Sequence, residues 1–345
     1  MGDVLGTTSA TTPLPLPPQT PRVSVVMPTH RRAEVFERAL ASLEAQAHPR
    51  HAFEVIVVAT ADDMAFEAVR QCAARGRIDI RCVSVPDDPT AGRSPSLKRN
   101  YGVSQARGEW IAFIDDDCTA HPDWLAEASK YFDQSNAGGI EGRKEIPKPP
   151  RDTMVYRGLL LFTRPRGFQT CNVFYRRDVF LKLGGFDPSF PYYLEDSDLA
   201  WSVLDAGHEI PYAESAIVYH PVPPPHPWKM LDDARRAILM PYLYKKHPAR
   251  YRESGVRVLR WSHWVYLALY AALALCLVVG AWKAAACVIG LILAFVALHS
   301  FKLFRGCATT PNELWATTLL LPVCPVVKAV QLVRGNLKHG VWLWS

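Results

Sequence analysis

Asp115, Asp116 and Asp117 stand in an unbroken row directly after the apolar run Trp110-Ile111-Ala112-Phe113-Ile114. A run of that length suits a buried strand, and acids crowded at its end repel one another unless something positive meets them. Asp115 and Asp117 lie two apart and can both reach one divalent cation carrying a phosphorylated ligand. Their oxygens are of the kind Mg2+ or Mn2+ prefers. The plainer alternative is a solvated acidic turn leading into a helix at Pro122. A second acidic row, Glu195-Asp196-Ser197-Asp198, opens a segment with Leu199, Ala200, Trp201, Val203 and Leu204 in helical register, ending at Gly207. Acids are favoured at a helix N-terminus by the backbone dipole, so capping accounts for this row as readily as catalysis does.

The elements that must position these acids can be read from the alternation of patterns. β-Branched and apolar runs begin near 23, 53, 78 and 110, and segments with helical periodicity lie between them at 33–46, 62–75 and 96–106. That rhythm predicts βαβ units and a mostly parallel sheet flanked by helices. Open sheets of this kind bind ligands at the carboxyl ends of their strands, where the first acidic row stands. No G-x-G-x-x-G follows the first strand and no G-x-x-x-x-G-K-[ST] occurs, which counts against dinucleotide-binding dehydrogenases and P-loop NTPases. Further along, the patterns predict a helix over 122–132 and strands over 138–146, 170–176 and 216–219. The last ends at His220.

The chain has 345 residues, with 39 Lys plus Arg against 33 Asp plus Glu, a net charge of +6. This mild excess, without any nucleic-acid-binding motif, gives no reason to expect a nucleic-acid partner. The cysteines form no C-x-x-C pair, so neither a zinc knuckle nor a redox motif is expected, and reduced thiols fit a reducing compartment. Residues 1–21 are rich in Thr and Pro, contain no Lys or Arg, and lack the basic start and apolar core of a signal peptide. They read as a disordered tail, and the catalytic region is expected in the cytoplasm.

Four segments together resemble the family 2 glycosyltransferases of the GT-A fold. They are Val25-Val26-Met27-Pro28-Thr29-His30-Arg31; Arg99-Asn100-x-Gly102 continuing through Gly108-Glu109 to Asp115-Asp116-Asp117; Gly184-Gly185-Phe186-Asp187; and Glu195-Asp196-x-Asp198-Leu199. The resemblance spans about 22–222. It implies an inverting enzyme that moves a sugar from a nucleotide-diphosphate sugar, UDP-sugar favoured, to an acceptor hydroxyl on a lipid or glycan. It implies Asp117 as metal ligand, with Asp115 on the metal or ribose and His220 matching a His that several such enzymes add to the metal. It implies Asp196 as the base, and Pro28, Thr29, Arg31, Arg99, Asn100 and Asp116 among the donor-binding residues. One departure stands out. The family's Asp pair after the second strand is replaced by Val57-Val58-Ala59-Thr60-Ala61, so the base is held differently or Thr60 or Asp62 substitutes.

The last third has another character. Stretches 265–281 and 284–301 contain no Asp, Glu, Lys or Arg, and each approaches the ~20 residues needed to cross a bilayer. Trp261, Trp264 and Trp282 sit at their ends, as interfacial aromatics do. Lys229, Arg235, Arg236, Lys245, Lys246, Arg250, Arg252, Arg257 and Arg260 precede them, Lys302 and Arg305 follow, and Lys283 alone marks the connecting turn. The positive-inside rule then places both outer ends, and the catalytic domain, in the cytoplasm.

The expected organisation is a tail over 1–21, a GT-A domain over 22–228, a basic amphipathic linker at the membrane surface over 229–260, a transmembrane hairpin over 261–303 and a membrane-associated helix and tail over 304–345. Stretch 314–333, interrupted by Pro322 and Pro325, reads as interfacial or re-entrant, with a third span as the alternative. The competing functional readings are a Mg2+-dependent nucleotidyltransferase, which leaves the second acidic row unexplained, and a non-catalytic membrane scaffold, supported only by the Ala59-Thr60 departure.

Overall fold

Strand β1 (Val23–Pro28) and strand β2 (Phe53–Ala59) are buried along their whole length, as strands covered on both faces must be. The computed structural model describes residues 20–30, 33–86, 94–224, 226 and 228–344; the expected tail, up to residue 19, lies outside them. With β3 (Asp79–Ser84) and β4 (Trp110–Phe113), these strands pair in parallel in the order β3-β2-β1-β4. Helices α1 (Ala33–Glu44), α2 (Ala65–Ala74) and α3 (Pro95–Ser104) supply the crossovers. Helix α3 lies very close to the sheet. A Cβ on Gly102 would come within 2.5 Å of Val26 and 2.8 Å of Val58. That approach brings Lys98 and Arg99, one turn earlier, over the carboxyl ends of the strands.

Past β4 the chain builds β5 (Thr119–Ala120), α4 (Trp124–Ser129), β6 (Gly139–Glu145), α5 (Met154–Leu160), β7 (Val173–Arg176), α6 (Arg177–Lys182), α7 (Glu195–Asp205) and β8 (Tyr212–Tyr219). The eight strands form one sheet in the order β3-β2-β1-β4-β7-β6-β8-β5. The expected parallel pattern holds as far as β4. Strand β7 then runs antiparallel to both β4 and β6, while β6 and β8 are parallel. The short strand β5 and helix α5 have no counterpart in the sequence reading. The core is aromatic on both faces: Trp110 stacks on Phe132, and Phe113 packs edge-on against Phe186.

Residues 229–260, the basic stretch, are largely helical. They fold as α8 (Lys229–Arg235), a 3-10 turn (Arg236–Leu239), α9 (Met240–Lys246) and α10 (Pro248–Ser254). Leu243, Tyr251, Val258 and Leu259 share a buried cluster with Phe190, Ala200 and Trp201 of the catalytic domain. Three helices follow that are long and apolar enough to cross a membrane: α11 (Trp261–Val278), α12 (Trp282–Phe304) and α13 (Pro311–His339). The expected break at Pro322 and Pro325 is absent, and α13 is continuous through both. It packs on α8, α9, α11 and α12, and this support overrides the loss of two backbone donors. Gly335 permits the closest approach, since a Cβ there would meet the Ile238 carbonyl at 2.5 Å. One flank of α13 is buried through Leu320, Leu321, Cys324 and Leu332; the opposite flank exposes Trp315, Leu319, Val323 and Val330.

Candidate active site

Directly after β4, ligand atoms of Asp115, Asp117 and Cys118 gather with that of His220, which ends β8, all within 4.8 Å of one another. The His220 backbone N–H donates to the Glu145 carbonyl, fixing the strand end, and its Nδ1 lies 2.8 Å from the Pro221 carbonyl. A carbonyl only accepts, so Nδ1 carries the proton and Nε2 keeps its lone pair for a metal. The Cys118 thiol donates to Asp117 Oδ1 at 3.6 Å. Hydrogen bonding with the Cys171 thiol, burial and the neighbouring carboxylates hold Cys118 well above the usual thiol range, so it orients Asp117 as a neutral group. Two carboxylates and one imidazole fit Mg2+ or Mn2+ and do not make the thiolate-rich site that selects zinc.

Arg99 joins the two acidic rows. Its guanidinium donates to Asp115 Oδ1 at 2.8 Å and to Glu195 Oε1 at 3.2 Å, and lies 5.8 Å from the Phe186 ring centroid. Beside it, Asp196 accepts from the Ser197 backbone N–H at 2.7 Å. Burial and the adjacent Glu195 charge push Asp196 up to about 7, outweighing that hydrogen bond and Arg99. A carboxylate serving only as a helix cap would be lowered instead. The residue entering α7, Leu194, adopts a left-handed conformation with φ 72° and makes no side-chain cap.

The other residues expected at the site have varied positions. Asp116 is buried and accepts from the Thr29 hydroxyl at 2.7 Å, and Lys98 Nζ donates to the Thr29 carbonyl at 2.6 Å. These bonds tie the end of β1, after Pro28, to the acidic turn. Asn100 gives both ends of its amide to Phe186, donating to its carbonyl at 2.7 Å and accepting from its N–H at 2.9 Å. It therefore holds the Gly184-Gly185-Phe186 turn in place. Asp62 is exposed, while Asp63 is buried and accepts from the Ala65 N–H at 3.0 Å, at the start of α2. The Thr60 hydroxyl is buried with no partner among the described residues, an opening for a ligand donor or acceptor. Arg31 lies outside the described residues.

Two groups were missed in the sequence. Lys144, on β6, is partly buried and donates to Gln169; burial lowers it, while the carboxylates of Asp115 and Asp196 act in the opposite sense. Lys246, read only as part of the basic linker over 229–260, donates to Asp187 and Asp198 at 2.8 Å each. His247 bridges Asp198 at 3.1 Å and Asp205 at 2.8 Å, and Arg250 reaches Asp205 at 2.8 Å. Arg235 and Arg236 pair with Asp232 and Asp233. Much of the basic stretch is therefore neutralised within the protein.

A mixed sheet with an acid–histidine cluster at its strand ends, and a second acidic helix facing it across an arginine, defines the GT-A class of glycosyltransferase fold. The mannosyltransferase PcManGT from Pyrobaculum calidifontis, solved with GDP-Man and Mn2+, matches with a TM-score of 0.61 and 22% identity over 93% of this chain and 90% of that one. Residues 1–349 of TarS from S. aureus, solved with UDP-GlcNAc, match with a TM-score of 0.50 and 15% identity, covering 93% of each chain. Residues 24–184 match the family model Glycosyl transferase family 2, and the chain carries a family 2 glycosyltransferase domain.

Among its relatives, the glycosyltransferase AglE of Haloferax volcanii is 27% identical over 216 residues, 59% of this chain and 68% of that protein. The glucosyl-dolichyl phosphate glucuronosyltransferase of the same organism is 28% identical over 182 residues, 48% of this chain and 56% of that protein. The chain thus spans little more than half the length of this second relative.

Proposed function

We propose that this protein is a membrane-anchored, inverting, metal-dependent glycosyltransferase. In this reading it moves a sugar from a nucleotide-diphosphate sugar to an acceptor hydroxyl at the cytoplasmic face of the cell membrane. The observation that carries the reading is the pairing across Arg99 of the Asp115/Asp117/His220 cluster with Asp196, a carboxyl whose pKa of about 7 suits a base at neutral pH. A bound Mg2+ or Mn2+ would neutralise charge on the departing diphosphate as a Lewis acid. Asp115, Asp117 and His220 would hold it. Arg99 fixes Asp115, and through Glu195 keeps the acceptor helix in register with the donor side. Asp196 takes the acceptor's proton as its oxygen attacks, and a single in-line displacement inverts the anomeric centre.

The relative named for transfer to glucosyl-dolichyl phosphate supports a lipid-linked or glycan acceptor, and the neighbours solved with GDP-Man and UDP-GlcNAc support a nucleotide-sugar donor of either base. UDP-sugars are the first donors to test and GDP-mannose the second. The protein in nanodiscs is assayed with Mn2+ for binding and slow hydrolysis across a panel of nucleotide-sugars. Metal-dependent binding of at least one is expected. Binding of none would sink the reading and favour a scaffold.

A further inference from the structure

Between β6 and β7 the chain leaves the sheet, forms α5 and returns through a tight turn, and its tip is greasy. Leu160, Leu161 and Phe162 are 40%, 58% and 61% exposed. Segment 148–166 carries Lys148, Arg151, Arg157, Arg164 and Arg166 against the single acid Asp152.

The tip is held firmly. The backbone N–H groups of Arg166, Gly167 and Phe168 all donate to the buried Glu141 carboxylate, at 2.6, 2.9 and 2.8 Å. To converge there, Arg166 and Phe168 adopt left-handed conformations with φ 70° and 50°, which side-chain-bearing residues rarely take. Such strain persists only where the surroundings enforce it. At its other end the segment is fastened to the foot of α12. Arg157 donates to the carbonyls of Arg305 and Gly306 at 2.9 and 3.0 Å, and Ala308 N–H donates to the Asp152 carbonyl at 2.7 Å. The inner side of the same turn, at Phe162, lines a narrow cleft with Lys144, Gln169 and Cys171, and Cys171 adjoins Cys118 in the metal cluster.

We propose that the α5 tip, Leu160-Leu161-Phe162, is a second membrane contact. It seats in the interface of an anionic leaflet beside the foot of α12, with Arg164 and Arg166 on lipid phosphates. The inference rests on the membrane reading of α11 and α12. Its occupant is the bilayer because the helix that bears the tip is hydrogen-bonded, through Arg157 one turn before it, to the residues that end a membrane-length helix, and the segment carries the apolar-plus-basic composition that anionic interfaces recruit. A rigid clasp at Glu141 suits this task, since it presents three large apolar side chains at a fixed depth without further ordering on contact. The cleft behind Phe162 would then open from the lipid interface toward the catalytic cluster.

The test uses the full chain in bilayers of phosphatidylcholine and phosphatidylglycerol. An environment-sensitive fluorophore is attached through a bioorthogonal residue, leaving the native cysteines untouched, at Leu161, at Leu275 within α11, or at the exposed Asp133. Brominated lipid is expected to quench the labels at Leu161 and Leu275 strongly and the one at Asp133 hardly at all. Aqueous iodide should show the reverse order, with Leu161 shielded. Quenching by lipid at Leu275 but not at Leu161 would overturn the tip proposal alone, with iodide reaching Leu161 if the tip lies in water and failing to reach it if a second protein copy covers the tip. Water exposure at both would take down the membrane reading with it.

Discussion

Asp115 and Glu195, eighty residues apart in the chain, share one guanidinium: Arg99 reaches the first at 2.8 Å and the second at 3.2 Å. The donor-side and acceptor-side motifs are thus positioned by one buried cation. A lysine at this position has no planar fork to span both acids. Arg99→Lys is therefore expected to fold but lose transfer by roughly 10–100-fold, about 1.4–2.8 kcal/mol of transition-state stabilisation. Wild-type turnover in that variant would remove Arg99 from the mechanism.

Asp117→Ala should nearly abolish transfer while leaving the fold intact. Its carboxylate has a metal-facing position, and removing one of three adjacent acids relieves repulsion. Mn2+ binding followed by electron paramagnetic resonance should weaken in step with activity. Near wild-type turnover of the variant in the presence of EDTA would show the metal assignment to be wrong.

Asp196 gives a pH signature with a definite sign. As a base it must be ionised, so transfer should fall as pH drops below about 7, the value burial and Glu195 impose. Asp196→Asn should keep nucleotide affinity and lose turnover by roughly 10²–10⁴-fold. Stability moves oppositely. Because the folded-state pKa lies above the ordinary value, ionisation opposes folding, and this cost grows as pH rises from about 4 to about 7. The melting temperature of the Asn variant, relative to wild type, should therefore climb across that range. A pH-independent difference together with retained turnover would leave Asp196 a structural residue and move the base to Glu195 or Asp198.

Lys246→Met tests the link from the C-terminal helices to the catalytic domain. Asp187, which burial would raise, is held down to about 2 by hydrogen bonds from Lys246 and Ser189. Removing the ammonium leaves it and the buried Asp198 facing each other's charge. Breaking a fully buried pair costs about 3–5 kcal/mol; with Lys246 part-exposed, about 2 kcal/mol is expected. Chemical denaturation in detergent measures it, and an unchanged midpoint would show the contact to be idle.

Topology is tested by single thiols in a cysteine-free background. A cysteine at Lys283, in the first turn of α12, should react with an impermeant reagent from outside intact cells, and one at the exposed Glu253 should not. Equal protection of both would mean that the hairpin does not cross the membrane.

The parallel half of the sheet and both acidic rows could be read from the sequence because their signals are local: apolar runs of strand length and acids beside them. What escaped depends on distant partners. Lys246 shares its sign with the rest of the basic stretch, and its acid Asp198 lies 48 positions away, so charge pattern alone grouped it with a linker at the membrane surface. Asn100 holds the turn at Phe186, 86 positions on, a contact that its local pattern does not signal. Helix α13 survives two prolines because of packing that no window of its own residues encodes. The clasp at Glu141 forces left-handed backbone on Arg166 and Phe168, residues whose own preferences point elsewhere.

Helix α9 touches both sides of the molecule. Through Lys246 it grips α7, and through Lys245 and the stacking of Tyr242 on His339 it grips the end of α13. The helix bearing Asp196 and the longest apolar helix are therefore parts of one stiff body. With that body seated in a bilayer, the height of Asp196 above the lipid is set by the fold and not by a tether. The enzyme would then act as a gauge, and carriers would be sorted by how far their hydroxyl stands from the membrane as well as by its chemistry.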